Sequence, residues 1–155
     1  MGWIIGVVAV LFVVGMGMSL VPTPQDKALG RLRELAREMG FQMRLVACPA
    51  WLIGPGGEKG KGMVAQYVWP ETTPFRADPV RALVIGTEVN VTEGKAPMLH
   101  ETQAPRWMLG MGFSEKSSIA YVSEPVVLQN KGGDAAMRDF LTEVKETLHT
   151  CRSKI

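Results

Sequence analysis

The residues able to do chemistry in this chain are few and scattered. GPGGEKGKG, Gly54 to Gly62, invites comparison with a phosphate-binding loop. In the G-x-x-x-x-G-K-[ST] pattern, backbone amides cradle the phosphates and a hydroxyl holds magnesium. Aligned on Gly60 and Lys61, Pro55 falls at the first glycine position and Gly62 replaces the hydroxyl residue. MVAQYVW follows, which is strand-like, where the mechanism needs a helix N-terminus aimed at the phosphates. The stretch reads as a flexible hairpin tip. His100 beside Glu101 has the makings of an acid–base couple, with Arg106 nearby in sequence. Adjacent polar residues of this kind are also ordinary surface. His100 and His149 stand alone and no Cys or His pair has ligand spacing, so no metal is expected. The serines lack a G-x-S-x-G elbow.

Cys48 precedes Pro49 at the end of an apolar segment, and Cys151 falls on the apolar face of the last helix. Both read as reduced core thiols rather than low-pKa nucleophiles. A Cys48–Cys151 disulfide is the alternative and would belong to an oxidising compartment. Trp51 and Trp107 lie in loop-like segments beside Leu52, Ile53, Met108 and Leu109. They either form an exposed apolar patch for a protein or membrane surface, or plug the open side of a small sheet. Gly2 and Gly6 make a G-x-x-x-G that continues as a stripe through Ala9, Val13 and Gly17, the pattern that lets membrane helices approach closely. Gly2, Gly6, Trp51 and Trp107 are therefore the candidate interaction residues. No catalytic residue and no cofactor is expected.

The elements that would position these residues begin with WIIGVVAVLFVVGMGMSLV, Trp3 to Val21, which carries no charge. Such a run spans roughly 28 Å, near the hydrocarbon thickness of a bilayer. A cleaved signal peptide would want a basic residue before its apolar core and a small-x-small site after it. The expectation is an uncleaved transmembrane anchor over residues 1–21 and a cytoplasmic domain over 22–155. Lys27, Arg31, Arg33, Arg37 and Arg44 all follow the run, which places the C-terminal part in the cytoplasm and the N-terminus outside, at the cell inner membrane.

Pro22 and Pro24 prevent the anchor from simply continuing. Thr23 is a natural N-cap, Pro24 suits the first helical position, and Asp26 meets the helix dipole. Ala28, Leu32, Leu35, Ala36 and Met39 form one apolar face, opposite Lys27, Arg31, Glu34, Arg37 and Glu38. Gly40 suits the C′ position. The charged face is either simply solvated or set among anionic headgroups.

Further on, FQMRLVAC and MVAQYVW read as strands of a hairpin with a long, mobile connection, and PETTPFRADP as irregular. VRALVIG and TEVNVTE suggest one or two strands around Gly86, WMLGMGF a strand or loop, and SSIAYVS a short strand. Asp134 is a candidate cap for a last helix, whose apolar face is Met137, Phe140, Leu141, Val144, Leu148 and Cys151. The fold class expected is α+β: an N-terminal transmembrane helix, then a small, mainly antiparallel sheet with an N-terminal and a C-terminal amphipathic helix on one face. The 155 residues leave room for one domain after the anchor. Seventeen basic against fifteen acidic residues, interspersed, provide no basic stripe, so no nucleic acid is expected.

With the short anchor, the P-T-P-Q-D-K entry at Pro22 to Lys27, the Leu/Arg-rich helix into MGFQMRL and the terminal GGDAAMRDFLTEVKETL, the layout resembles small single-pass proteobacterial inner-membrane proteins of unknown function. The anchor followed by Pro, Gln and Lys also resembles YajC, the accessory subunit of the Sec translocase, over about ten residues. The G-D-x-V-x-T-x-G-G segment of that family has no counterpart here. These resemblances imply an accessory role in a membrane complex, without an active site. The functional expectation is a non-enzymatic interaction protein whose partners are the lipid bilayer and another membrane protein. The alternatives are a small-molecule sensor or enzyme built from residues such as His100, Glu101 and Arg106, or a periplasmic domain with one disulfide.

Overall fold

The computed structural model describes residues 2–19, 23–72, 78–130 and 133–155. In chain order these form α1 (Gly2–Ser19), α2 (Pro24–Glu38), β1 (Gln42–Ala47), β2 (Met63–Pro70), β3 (Val80–Ile85) and β4 (Glu88–Glu93). A 3-10 helix (Pro97–Glu101), β5 (Met108–Phe113), β6 (Ser117–Val122), α3 (Glu124–Asn130) and α4 (Asp134–Ser153) follow. The fold is mixed α+β, and every strand pair is antiparallel in a six-stranded sheet ordered β1-β2-β6-β5-β3-β4.

α2 starts at the expected cap. The Thr23 hydroxyl accepts from the Asp26 amide at 3.2 Å, and the Asp26 carboxylate takes the Thr23 amide at 3.1 Å. This reciprocal box satisfies two amides that the first turn leaves without helical partners. Gly40, at φ 92°, turns the chain into β1 in a conformation that favours glycine. Strands β3 and β4 form a hairpin round Gly86, and WMLGMGF resolves as strand β5 from Met108.

Three expectations change. The first concerns the anchor: α1 covers Gly2–Ser19. No helix among the described residues is long and apolar enough to cross a membrane, so the expected transmembrane span is met by none of them. Met1 and residues 20–22, parts of that expected anchor and its flank, lie outside the described residues, as do 73–77 of the stretch read as irregular. The second change is at Asp134, which does not cap α4. Gly133 holds the cap position, and the Asp134 carboxylate instead accepts from Arg31 of α2 at 2.7 and 3.0 Å. The third is α3, an unforeseen helix between β6 and α4.

α2 and α4 cover one face of the sheet. Leu32 and Leu35 of α2 and Phe140, Leu141, Val144 and Leu148 of α4 are fully buried against Ala65, Tyr67, Ala82, Met111, Phe113 and Ala120. The opposite face has a smaller apolar cluster of Cys48, Leu52, Val64, Leu83 and Tyr121. It forms because residues 48–62 fold back over the sheet. Within that segment Ile53 bridges Lys59, and the Gly54 and Gly60 amides donate to the carbonyls of Glu58 and Leu52. The two free cysteines are buried in different clusters on opposite sides of the sheet, so a bond between them would have to cross it.

Candidate functional site

α2 and α3 pack together, and their junction rests on a buried ion pair. Glu124, with a side chain only 5% exposed, opens α3 directly after β6. Its carboxylate accepts from Arg33 Nη2 of α2 at 2.8 Å and from the Tyr67 hydroxyl of β2 at 2.9 Å. Tyr67 is fully buried, and burial, reinforced by the Glu124 charge, pushes its phenol well above the ordinary value of 10.0. The bond to Glu124 raises the Arg33 guanidinium too, against its own desolvation. A buried carboxylate is costly unless charged and hydrogen-bonding partners surround it, and here both are present. With no solvent path to the phenol, the trio works as a strut that fixes α3 against α2 and the sheet.

Above the strut lies a groove of about 350 Å³ lined by Pro24, Gln25, Ala28 and Leu29 of α2 and by Pro125, Leu128 and Gln129 of α3. Its walls are mostly apolar, and Val126 on α3 is a further exposed apolar side chain. The groove begins at Pro24, five positions from Ser19, the last residue of α1. A chain spans at most about 3.6 Å per residue, so the mouth of the groove is within roughly 18 Å of that helix end. α1 itself carries no charge, and each described residue from Trp3 to Met16 is exposed, Trp3 at 75% and Ile5 at 73%.

The candidate residues from the sequence fall in four places. Gly2 and Gly6 lie in α1, and a Cβ at Gly6 would meet open space. Trp51 is half-buried on the helix-free face, edge-on to Tyr121 at 5.4 Å, while Trp107 is half-buried on the helix side, 4.6 Å from the Phe140 ring. The two indoles thus lie on opposite faces. His100 and Glu101 are exposed beside a polar hollow formed with Glu88, Val89, Asn90, Thr102 and Gln103; Arg106 is not in its lining. In the glycine-rich loop, Lys61 pairs with Glu58 at 2.7 Å, and the loop runs into a strand, not a helix. Among the described residues no group of three or more His, Cys, Asp or Glu side chains is placed to hold a metal.

The groove was not visible in the sequence because its walls are about a hundred residues apart and α3 is too short for a helical period to register. One local signal was present: Pro125 directly after an acidic residue suits the first turn of a helix. No protein-family model matches the chain, and neither a curated protein nor a solved structure matches it.

Proposed function

We propose that this protein is a membrane-anchored, non-enzymatic interaction protein, an accessory of a larger inner-membrane assembly. α1 is the tether, continued by the uncharged sequence to Val21, and residues 22–155 form the interaction domain. One observation carries the reading: α1 exposes apolar side chains on all sides. At about 25 cal/mol per Å² of apolar surface, leaving such a helix in water is strongly unfavourable, and lodging it in a bilayer removes that cost. The α2–α3 groove lies close to the tether, where a partner's membrane-proximal segment would meet it. Lys27, Arg31, Arg33, Arg37 and Arg44, all C-terminal to the tether, favour a cytoplasmic domain.

The test is fractionation followed by capture. The full chain should stay with membranes through an alkaline carbonate wash, and a reporter fused after Ile155 should be active in the cytoplasm. Crosslinking in intact membranes should trap a membrane partner, and Leu29→Glu in the groove wall should lower its yield. Release by carbonate would overturn the tether. Unchanged capture by Leu29→Glu would remove the groove from the interaction.

A further inference from the structure

The two edges of the sheet are not alike. β4 is partly covered: Glu88 bridges to Gln103, and the Ala104 amide donates to the Thr87 carbonyl at 2.9 Å. β1 has no strand on its outer side among the described residues. Its sequence, QMRLVA, holds one charge and neither proline nor glycine, and its pairing with β2 is regular from Gln42 to Ala47. Natural proteins usually blunt such edges with charge, proline, a bulge or a cover.

We propose that β1 pairs antiparallel with β1 of a second copy of this chain, joining two sheets into one. The direction of the amides fixes which residues take part. The Cys48 amide donates across to Gly62 in register with the hairpin, so by alternation residues 42, 44 and 46 bond to β2. Met43, Leu45 and Ala47 therefore turn their amides and carbonyls outward. Twofold pairing of two identical edges keeps the same face of both sheets on the same side. It also allows only registers whose paired residue numbers add to an even sum.

Among these, the register that sets Arg44 against Arg44 is penalised by like charges. Shifting by one pair sets Leu45 against Leu45 and Arg44 against Val46, and uses residues 43 to 47. A further shift shortens the pairing. Leu45, 51% exposed in one copy, is then covered by its own counterpart.

The symmetry also suits a tether. Both copies present α2, which follows α1 in sequence, on the same side of the joined sheet, as tethering to one bilayer favours. This part, and the drive that holds the pairing at low concentration, rest on the proposed membrane reading; the free edge and its register do not. A pairing of this length is small beside a stable interface of about 1,200 Å² or more. Confinement of both copies to one membrane supplies the missing drive, through an effective concentration on the order of millimolar.

The experiment uses the full chain in carbonate-washed membranes. Leu45→Cys is oxidised with copper phenanthroline beside Ile85→Cys, which is equally exposed but lies on β3. Opposed residues of a hydrogen-bonded pair have Cα atoms about 5.5 Å apart, within disulfide range. Leu45→Cys should give a dimer of twice the chain mass in about tenfold higher yield than Ile85→Cys, since paired thiols react at high effective concentration. In a second arm, two differently tagged copies should co-purify, and both Leu45→Pro and Leu45→Lys should abolish this while far-UV circular dichroism stays unchanged. Equal yields from the two cysteine variants, or co-purification that survives Leu45→Pro, overturns the pairing. If the wash releases the chain, the tether reading fails separately, and the same crosslink on the released protein at a concentration on the order of millimolar, which replaces the drive of the membrane, decides the edge.

Discussion

Arg33 and Glu124, 91 residues apart in sequence, meet at 2.8 Å between α2 and α3, with the Tyr67 hydroxyl on the same carboxylate. Removing one member of a buried, paired set leaves the others desolvated without compensation. Glu124→Gln should destabilise the full chain by about 2 kcal/mol, a figure reduced because Arg33 is about one-third exposed. Tyr67→Phe removes a single bond and should cost about 1 kcal/mol. Thermal unfolding in mild detergent measures both. A larger loss for Tyr67→Phe than for Glu124→Gln would mean that the phenol, not the ion pair, holds α3.

Legibility in the sequence followed the range of the interactions. The Thr23–Asp26 box was readable because cap and carboxylate are three residues apart, and the apolar face of α4 because its period repeats over 20 residues. α3 was not readable, since seven residues hold barely two turns. Asp134 looked like a cap because the local signal for a cap is an acidic residue at a helix start. Its partner, Arg31, is 103 residues away. The groove failed for the same reason: neither wall is apolar enough alone to mark a site. The exposed run of α1 was plain in the sequence, and it is the feature on which the functional reading rests.

The Arg31–Asp134 pair predicts an acid limb. Hydrogen bonds from Arg31 hold the Asp134 carboxyl below its ordinary 3.8, and Thr23 does the same for Asp26. A lowered folded value means that the linked stability is in place above about pH 3.8 and drains away as pH falls through the folded value. Asp134→Asn should therefore unfold more easily than the parent at pH 7, and the difference should close below about pH 3.8. Melting curves at pH 7, 5 and 3 test this; a constant difference would place the role of Asp134 outside the ion pair.

Cys151 predicts the opposite limb. Burial pushes its thiol from 9.0 up to about 11. A raised folded value favours the neutral thiol, so the linked stability is complete below pH 9 and is lost as pH rises through about 11. At pH 8 the folded chain should resist maleimide, and both thiols should label at matched rates once denaturant unfolds it. Fast labelling of Cys151 in the folded chain would mean that α4 detaches from the sheet.

Gly110 of β5 lies beneath the folded-back segment 48–62. A Cβ there would meet Leu52 Cδ1 at 2.5 Å, the Ala82 carbonyl at 3.0 Å and the Trp51 ring at 3.2 Å. The Ala82 carbonyl cannot yield without disturbing the β3–β5 ladder, so the Leu52 side chain and the Trp51 ring have to shift instead, which loosens the lobe that carries them. Gly110→Ala should cost about 1–3 kcal/mol, the usual range for overpacking a tight site. Lys59 and Lys61 are already exposed, and a loosened lobe opens the backbone around them, so trypsin should cut there faster in Gly110→Ala than in the parent. Equal cutting with a clear loss of stability would place the strain in the β3–β5 ladder, and the lobe would remain seated over Tyr121.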